Sequence, residues 1–184
     1  DRTTTGRGIV GSYLLEDLKT LDSGSWYGDS FKAEPVPTLE EVFLQMPENF
    51  LIYVEMKVRG FGAWALAHEV AKLIAKHRRW ESTMVASFNS LAVRFVRNID
   101  DRIIRGYIWS GNHPLPLRRR WLVPMAQPYW LAPDRGTLTP ELLRKLQQQG
   151  HPVAAWDLDA GSGLGQLMEM KLDGAVTNHP EVLV

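Results

Sequence analysis

The 184-residue sequence has no cysteine, which excludes a disulfide framework, a thiolate metal site and a cysteine nucleophile, and suits a reducing, cytoplasmic compartment. Any metal ligands must be carboxylates or imidazoles. A net charge is lacking too, since 21 basic residues balance 21 acidic ones. A neutral chain lacks the bulk attraction that nucleic-acid and anionic-membrane binders rely on, so no nucleic-acid partner is expected. No apolar run approaches the ~18 residues that span a bilayer, and uncharged stretches such as Leu122 to Pro133 are broken by proline. No transmembrane segment is therefore expected. G-x-G-x-x-G, G-x-x-x-x-G-K-[ST] and G-x-S-x-G are all missing, and Gly161-Ser-Gly-Leu-Gly165 fits none of them, which argues against a nucleotide-binding sheet and a serine hydrolase elbow. The first residue is Asp1, and the polar Arg2-Thr-Thr-Thr-Gly-Arg-Gly8 after it has no signal-peptide core.

What is present is the ordinary composition of a globular domain: 45% hydrophobic residues and 23% charged ones. Thr38-Leu-Glu-Glu41 is a capping box and predicts a helix with Leu39, Val42, Phe43 and Met46 on one face, ended by Pro47 and Asn49. Phe50 to Val54 predicts a buried strand that runs out into Glu55-Met-Lys57. A helix follows from Gly62, with Leu66, Val70, Leu73 and Ile74 apolar and His77-Arg-Arg79 in its last turn. The unit recurs: strand Thr83 to Ser87, helix Leu91 to Asn98, strand Arg102 to Ile108, helix Arg118 to Leu122 and strand Met125 to Tyr129. Thr139-Pro-Glu141 opens a further helix that Gly150 closes. Strand Val153 to Leu158, helix Leu164 to Lys171 and strand Gly174 to Thr177 complete the pattern. Six strands alternating with helices imply a parallel sheet of the (β/α) barrel kind. A complete barrel has eight strands and typically about 250 residues, roughly two βα units more.

Functional side chains of such barrels project from the C-terminal strand ends. Glu55 and Lys57 stand there on one face, because side chains alternate with period two. An inward carboxylate can hold a divalent cation and an inward ammonium a phosphate; the plain alternative is a solvated ion pair. His68 and His77 fall on a helix and near its end, and His151 precedes a strand on the opposite rim, so all three read as surface residues. His113 and His179 follow strands without a neighbouring carboxylate arrangement. The basic runs His77-Arg-Arg79 and Arg118-Arg-Arg120 read as solvated helix ends.

Ordered blocks along the chain resemble the glycerophosphodiester phosphodiesterase family. They are Asp1-Arg-Thr-Thr-Thr-Gly-Arg-Gly8, Leu18-Lys-Thr-Leu-Asp-Ser-Gly-Ser-Trp26, Pro37-Thr-Leu-Glu-Glu-Val42, Val54-Glu-Met-Lys57, Ser87-Phe88, Trp156 and Asp173-Gly-Ala-Val-Thr177 before Pro180. The resemblance implies a TIM-type (β/α)8 barrel of the phospholipase-C-like kind, here about six of eight strands in one partial domain over 1–184, with 1–36 a family-type loop before the first helix. It implies metal-dependent hydrolysis of a small glycerophosphodiester to an alcohol and glycerol 3-phosphate, with Mg²⁺ or Ca²⁺ as cation. Glu55 matches the family's metal-ligating glutamate, Lys57 its phosphate-contacting lysine and Trp156 a tryptophan at the mouth near substrate, the plain alternative for Trp156 being a core aromatic that plugs the barrel. Phe88 is read as packing.

The family's histidine-arginine-glycine block, its paired acidic metal ligands and its histidine-aspartate precede the matched region. The 184 residues alone are thus expected to lack the general acid and base histidines and to be inactive. Asp157 stands where the family tends to threonine, and Asn178-His179 where it has aspartate and a basic residue. The alternative expectation is a non-catalytic binding module that self-associates through open sheet edges at Leu51 and Ala175.

Overall fold

Short β-branched and apolar runs separated by well-capped helices give this chain its order, seen in a computed structural model that describes residues 2–58, 62–112, 121, 123–158 and 170–179. It divides into two compact units, Asp1–Pro47 and Glu48–Val184.

Polar clamps organise the first unit. The Asp22 carboxylate accepts the amides of Gly24, Ser25 and Ala33, each at 2.9 Å. The Ser25 hydroxyl, then these amides, hold its carboxyl far below the usual range. Gly24 is required there, because a Cβ would lie 1.9 Å from the Phe31 carbonyl oxygen. The loop expected over 1–36 contains a one-turn helix, α1 (Leu15–Lys19). Helix α2 (Leu39–Gln45) begins at the expected capping box: the Glu41 amide donates to Thr38 Oγ1 at 3.2 Å, and the Thr38 amide donates to Glu41 Oε2 at 2.7 Å. The same carboxylate pairs with Lys19, so one side chain ties α1 to α2.

In the second unit six parallel strands lie among the described residues: β1 (Ile52–Glu55), β2 (Thr83–Ser87), β3 (Ile104–Trp109), β4 (Trp130–Pro133), β5 (Ala154–Trp156) and β6 (Gly174–Val176). Strands β1 to β4 pair in sequence order, as do β5 and β6. Single bridges Leu131↔Val153 and Asp134↔Trp156 join the two sets. The helices between them are α3 (Ala63–Lys76), α4 (Ser90–Ile99), α5 (Val123–Ala126) and α6 (Pro140–Gln148). Asn89 caps α4 by accepting the Leu91 and Ala92 amides, and Thr139 caps α6 by accepting that of Leu142.

Alternation gives each strand two different faces. Tyr107, Trp109, Leu131, Val153 and Ala155 pack with Val93 of α4 and with Leu143 and Leu146 of α6, forming the main core. Ala86, Ile108 and Ala132 point the other way and meet Phe88 and Trp156, all from strands or strand ends. We call the two sides helix-covered and helix-free. On α3 the buried stripe is Ala63, Ala67, Val70, Ala71 and Ile74, while Leu66 is exposed; small alanines allow the close approach that a leucine would prevent.

One expectation is corrected. Met125 to Tyr129 is not a strand: α5 covers Val123–Ala126 and β4 starts at Trp130. Pro124 fits a helical first turn, Gln127 turns the chain at φ 46°, and Pro128 has no amide to give a ladder. Strand pairing resumes beyond the proline, where the Tyr129 amide donates to the Arg105 carbonyl. The helix expected over 118–122, most of that over 164–171, and His113 lie outside the described residues.

The Lys19 and Thr38 hydrogen bonds lower the Glu41 carboxyl from 4.5 to about 2. A depressed carboxyl stabilises the fold above its unfolded value and ceases to do so as pH falls through its folded one. Glu41→Gln should therefore melt below wild type at neutral pH, with the difference closing between about pH 4.5 and about 2. An offset that does not vary with pH would contradict the assignment.

Candidate functional site

Glu55 is the last residue of β1 and Lys57 lies two positions on, so both project from its C-terminal end to one side. The side chains meet, with Lys57 Nζ 3.5 Å from Glu55 Oε2. The partners differ in exposure: the Lys57 side chain is 79% exposed and that of Glu55 27%. The ammonium thus keeps most of its hydrogen-bonding capacity for an incoming anion, while the carboxylate holds it at the strand end. Tyr53, two residues before Glu55 on the same side, has its phenol pushed up by burial and then by the Glu55 charge.

The register shows which side this is. Glu55 pairs with Ala86, Ala86 with Gly106 and Gly106 with Trp130. Parallel partners share a face, so Glu55 stands on the helix-free side in a row with the small Ala86 and Gly106 and then Trp130. Gly106 relieves crowding in that row, because a Cβ there would lie 3.0 Å from the Ala86 Cβ, with the Met84 sulfur at 3.6 Å.

Trp156 occupies the end of β5 on the same side. Its indole N–H donates to the Ala132 carbonyl at 3.0 Å, and its ring meets Phe88 edge-on, with centroids 5.6 Å apart at 88°. Phe88 follows β2, three strands away. In a flat sheet side chains so placed would stay about 14 Å apart, so the contact requires a sheet curled about its helix-free side. The packing reading of Phe88 agrees with this geometry. The structure therefore brings Glu55 and Lys57 into contact and sets Trp156 on their side of the sheet, tied to Phe88 and Ala132.

Two residues at the same rim carry no signal as strong as a capping box. Asp134 directly follows β4 and accepts the Gly111 amide at 3.0 Å and the Thr137 hydroxyl, pinning the loop after β3 to the β4 end. Asp134-Arg-Gly-Thr137 is a turn-type spacing that could have signalled it. Ser87, buried beneath the rim, donates from its hydroxyl to the Met56 carbonyl at 2.7 Å.

The donor set was tested against a divalent cation. Glu55 supplies the hard oxygen such an ion requires, but a site of about six oxygens needs several such donors. No group of three or more His, Asp or Glu side chains that could hold a metal lies among the described residues. The described residues do not by themselves fit a cation site. The described histidines lie on other elements: His68 stacks on Trp64 within α3, His77 ends that helix, and the His151 ring bonds the Tyr129 carbonyl. His179 follows β6, where its amide donates to Thr177 Oγ1.

This geometry, an acid and a lysine at the C-terminal end of a parallel strand in a curled sheet, was compared with known proteins. The glycerophosphoryl diester phosphodiesterase family profile matches residues 1–182. The chain belongs to that family. Its hydrolytic class is therefore that of glycerophosphodiester phosphodiesterases, typically metal-dependent enzymes. A glycerophosphodiester phosphodiesterase of Caldanaerobacter subterraneus subsp. tengcongensis is 28% identical, the match covering 100% of this chain and 75% of that protein. One from Bacillus subtilis is 25% identical, covering 99% and 67%. Among solved structures, an Oleispira antarctica phosphodiesterase in complex with the product sn-glycerol-3-phosphate matches at TM-score 0.86 and 22% identity, covering 99% of this chain and 73% of that one. Its likeness establishes the fold: parallel strands and helices arranged as in the family's TIM barrels.

Replacing Gly106 with valine puts two methyl groups into the tightest part of the helix-free side. Gly106→Val should lower stability by about 1–3 kcal/mol, seen as a lower urea midpoint at unchanged slope. An unchanged midpoint would contradict the packing described.

Proposed function

We propose that the parent enzyme of this chain hydrolyses glycerophosphodiesters to an alcohol and glycerol 3-phosphate, with these 184 residues contributing Glu55 and Lys57 to its site. The observation that carries this reading is the Glu55–Lys57 pair, with its ammonium turned largely to solvent at the C-terminal strand end. Lys57 binds the phosphoryl oxygens of the substrate, offering a compact charge with three donors. Glu55 restrains that ammonium, and in the family reading its carboxylate would be one of several oxygens holding Mg²⁺ or Ca²⁺, a cation that would supply polarisation of a phosphoryl oxygen. Trp156, held by Ala132 and Phe88, presents a fixed apolar wall to the substrate and keeps water from one side of it. The glycerol 3-phosphate bound in the Oleispira phosphodiesterase supports the reading, since phosphate and glycerol are the parts all such substrates share. Among the described residues no helix is long and apolar enough to cross a membrane. Its place in the cell is read as cytoplasmic, which the lack of cysteine supports.

One feature favours a second reading, a self-associating module without turnover. Among the described residues β1 pairs only with β2, and Leu51 beside it is 77% exposed. An unpaired edge with apolar flanks favours strand pairing between copies.

Hydrolysis of glycerophosphocholine by the full-length protein, with Mg²⁺ and with Ca²⁺, separates the two. The proposal predicts turnover that falls at least ~100-fold in Glu55→Ala and a KM that rises ~10-fold or more in Lys57→Ala. Turnover unchanged in Glu55→Ala would overturn it. No turnover in a protein that dimerises with concentration would favour the second reading.

A further inference from the structure

Ser87 is 1% exposed, yet it carries a polar group at the C-terminal end of β2, after the apolar Met84, Val85 and Ala86. Its hydroxyl has two partners, both backbone groups: it donates to the Met56 carbonyl at 2.7 Å and accepts the Asn89 amide at 3.0 Å. Met56 lies between Glu55 and Lys57 and is itself buried, with its amide donating to the Ala86 carbonyl at 2.7 Å. The backbone joining the two charged residues is thus held twice by β2: through the Met56 amide by the ladder, and through the Met56 carbonyl by a side chain.

The other arm of the hydroxyl reaches α4. Asn89, whose amide Ser87 accepts, caps that helix by accepting the Leu91 and Ala92 amides. Ser87 therefore joins a ten-residue helix to the strand exit that bears the charged pair. Ladder pairing of β1 with β2 ends at Glu55↔Ala86. The Met56 amide carries the ladder one bond further, the Ser87 hydroxyl then takes the Met56 carbonyl, and Lys57 is the next residue.

We propose that Ser87 is a positioning residue for the site, fixing the Met56 backbone so that the Glu55 carboxylate and the Lys57 ammonium leave the strand end in the geometry that receives a phosphoryl group. It touches no substrate. This inference rests on the proposed role of Glu55 and Lys57 and adds the element that sets their relative orientation. No apolar residue can replace it, because the buried Met56 carbonyl would lose its donor, and a buried unsatisfied carbonyl is costly.

The test compares Ser87→Ala and Ser87→Thr with Val85→Ala, a buried change on the same strand that removes packing but no hydroxyl. Two readouts are taken on the full-length protein: kcat and KM for glycerophosphocholine, and amide exchange at Met56 corrected for global stability. Ser87→Ala should lower kcat/KM by about tenfold or more and speed Met56 exchange by about as much, the loss expected for a buried hydrogen bond. Ser87→Thr, which keeps the hydroxyl, should restore both to within about threefold of wild type, the margin left to its extra methyl. Val85→Ala should be destabilised while its corrected exchange at Met56 and its kcat/KM stay near wild type. Equal losses in Ser87→Ala and Val85→Ala on both readouts would overturn the proposal by making Ser87 an ordinary packing residue. Wild-type protein without turnover would count against the proposed function, and the exchange comparison would then decide the role of Ser87 by itself.

Discussion

Period-two alternation in a register-locked parallel sheet is the constraint on which this protein's functional face depends. Once Glu55 pairs with Ala86, Ala86 with Gly106 and Gly106 with Trp130, each side chain's side is decided. A slip of one residue in β1 would turn Glu55 and Lys57 toward the helices and bring Val54 and Met56 to the helix-free side. Met56, 3% exposed at the β1 exit, opposes that slip, and the main core opposes a like slip in β3 to β5. Tyr107, Trp109, Leu131 and Val153 are almost wholly buried against α4 and α6, and rotating their strands would expose several large side chains. Apolar burial on one side thus fixes the polar chemistry on the other.

At the strand ends, where the ladder stops, short side chains with backbone partners take over. Ser87 holds the Met56 carbonyl, Asp134 holds Gly111 and Thr137, and the Trp156 indole holds the Ala132 carbonyl. The first unit uses the same means, with Asp22 gathering three amides and Glu41 serving both a helix cap and Lys19. These are local, directional bonds, and they set side-chain positions more finely than apolar packing does. Phe88 against Trp156 is the apolar counterpart, a contact between β2 and β5 that only a curled sheet permits.

Features governed by neighbours along the chain are legible in the amino-acid sequence. The boxes and caps at Thr38 and Thr139, strand β2 over Thr83–Ser87, and the shared side of Glu55 and Lys57 follow from capping chemistry and alternation alone. Features that depend on distant partners are not. The strand expected near residue 127 lies at Trp130, because Gln127 and Pro128 redirect the chain and Arg105 of β3 receives the Tyr129 amide. Ser87 reads in sequence as the last polar residue of a strand, and only β1 alongside it reveals the Met56 carbonyl it serves. Leu66 reads as core because it is apolar at helical spacing, whereas α3 buries its alanines. The family blocks identify the hydrolytic class, and the register explains why Glu55 and Lys57 stand together on the helix-free side.

The central claim is that the helix-free side above Glu55 and Lys57 receives a phosphoryl group. A crystal structure of the protein soaked with glycerol 3-phosphate tests it directly. The phosphate is expected within hydrogen-bond distance of Lys57 Nζ, with the Met56 carbonyl still bonded to Ser87. Glycerol 3-phosphate bound away from Lys57, on the helix-covered side or on the first unit, would contradict the claim.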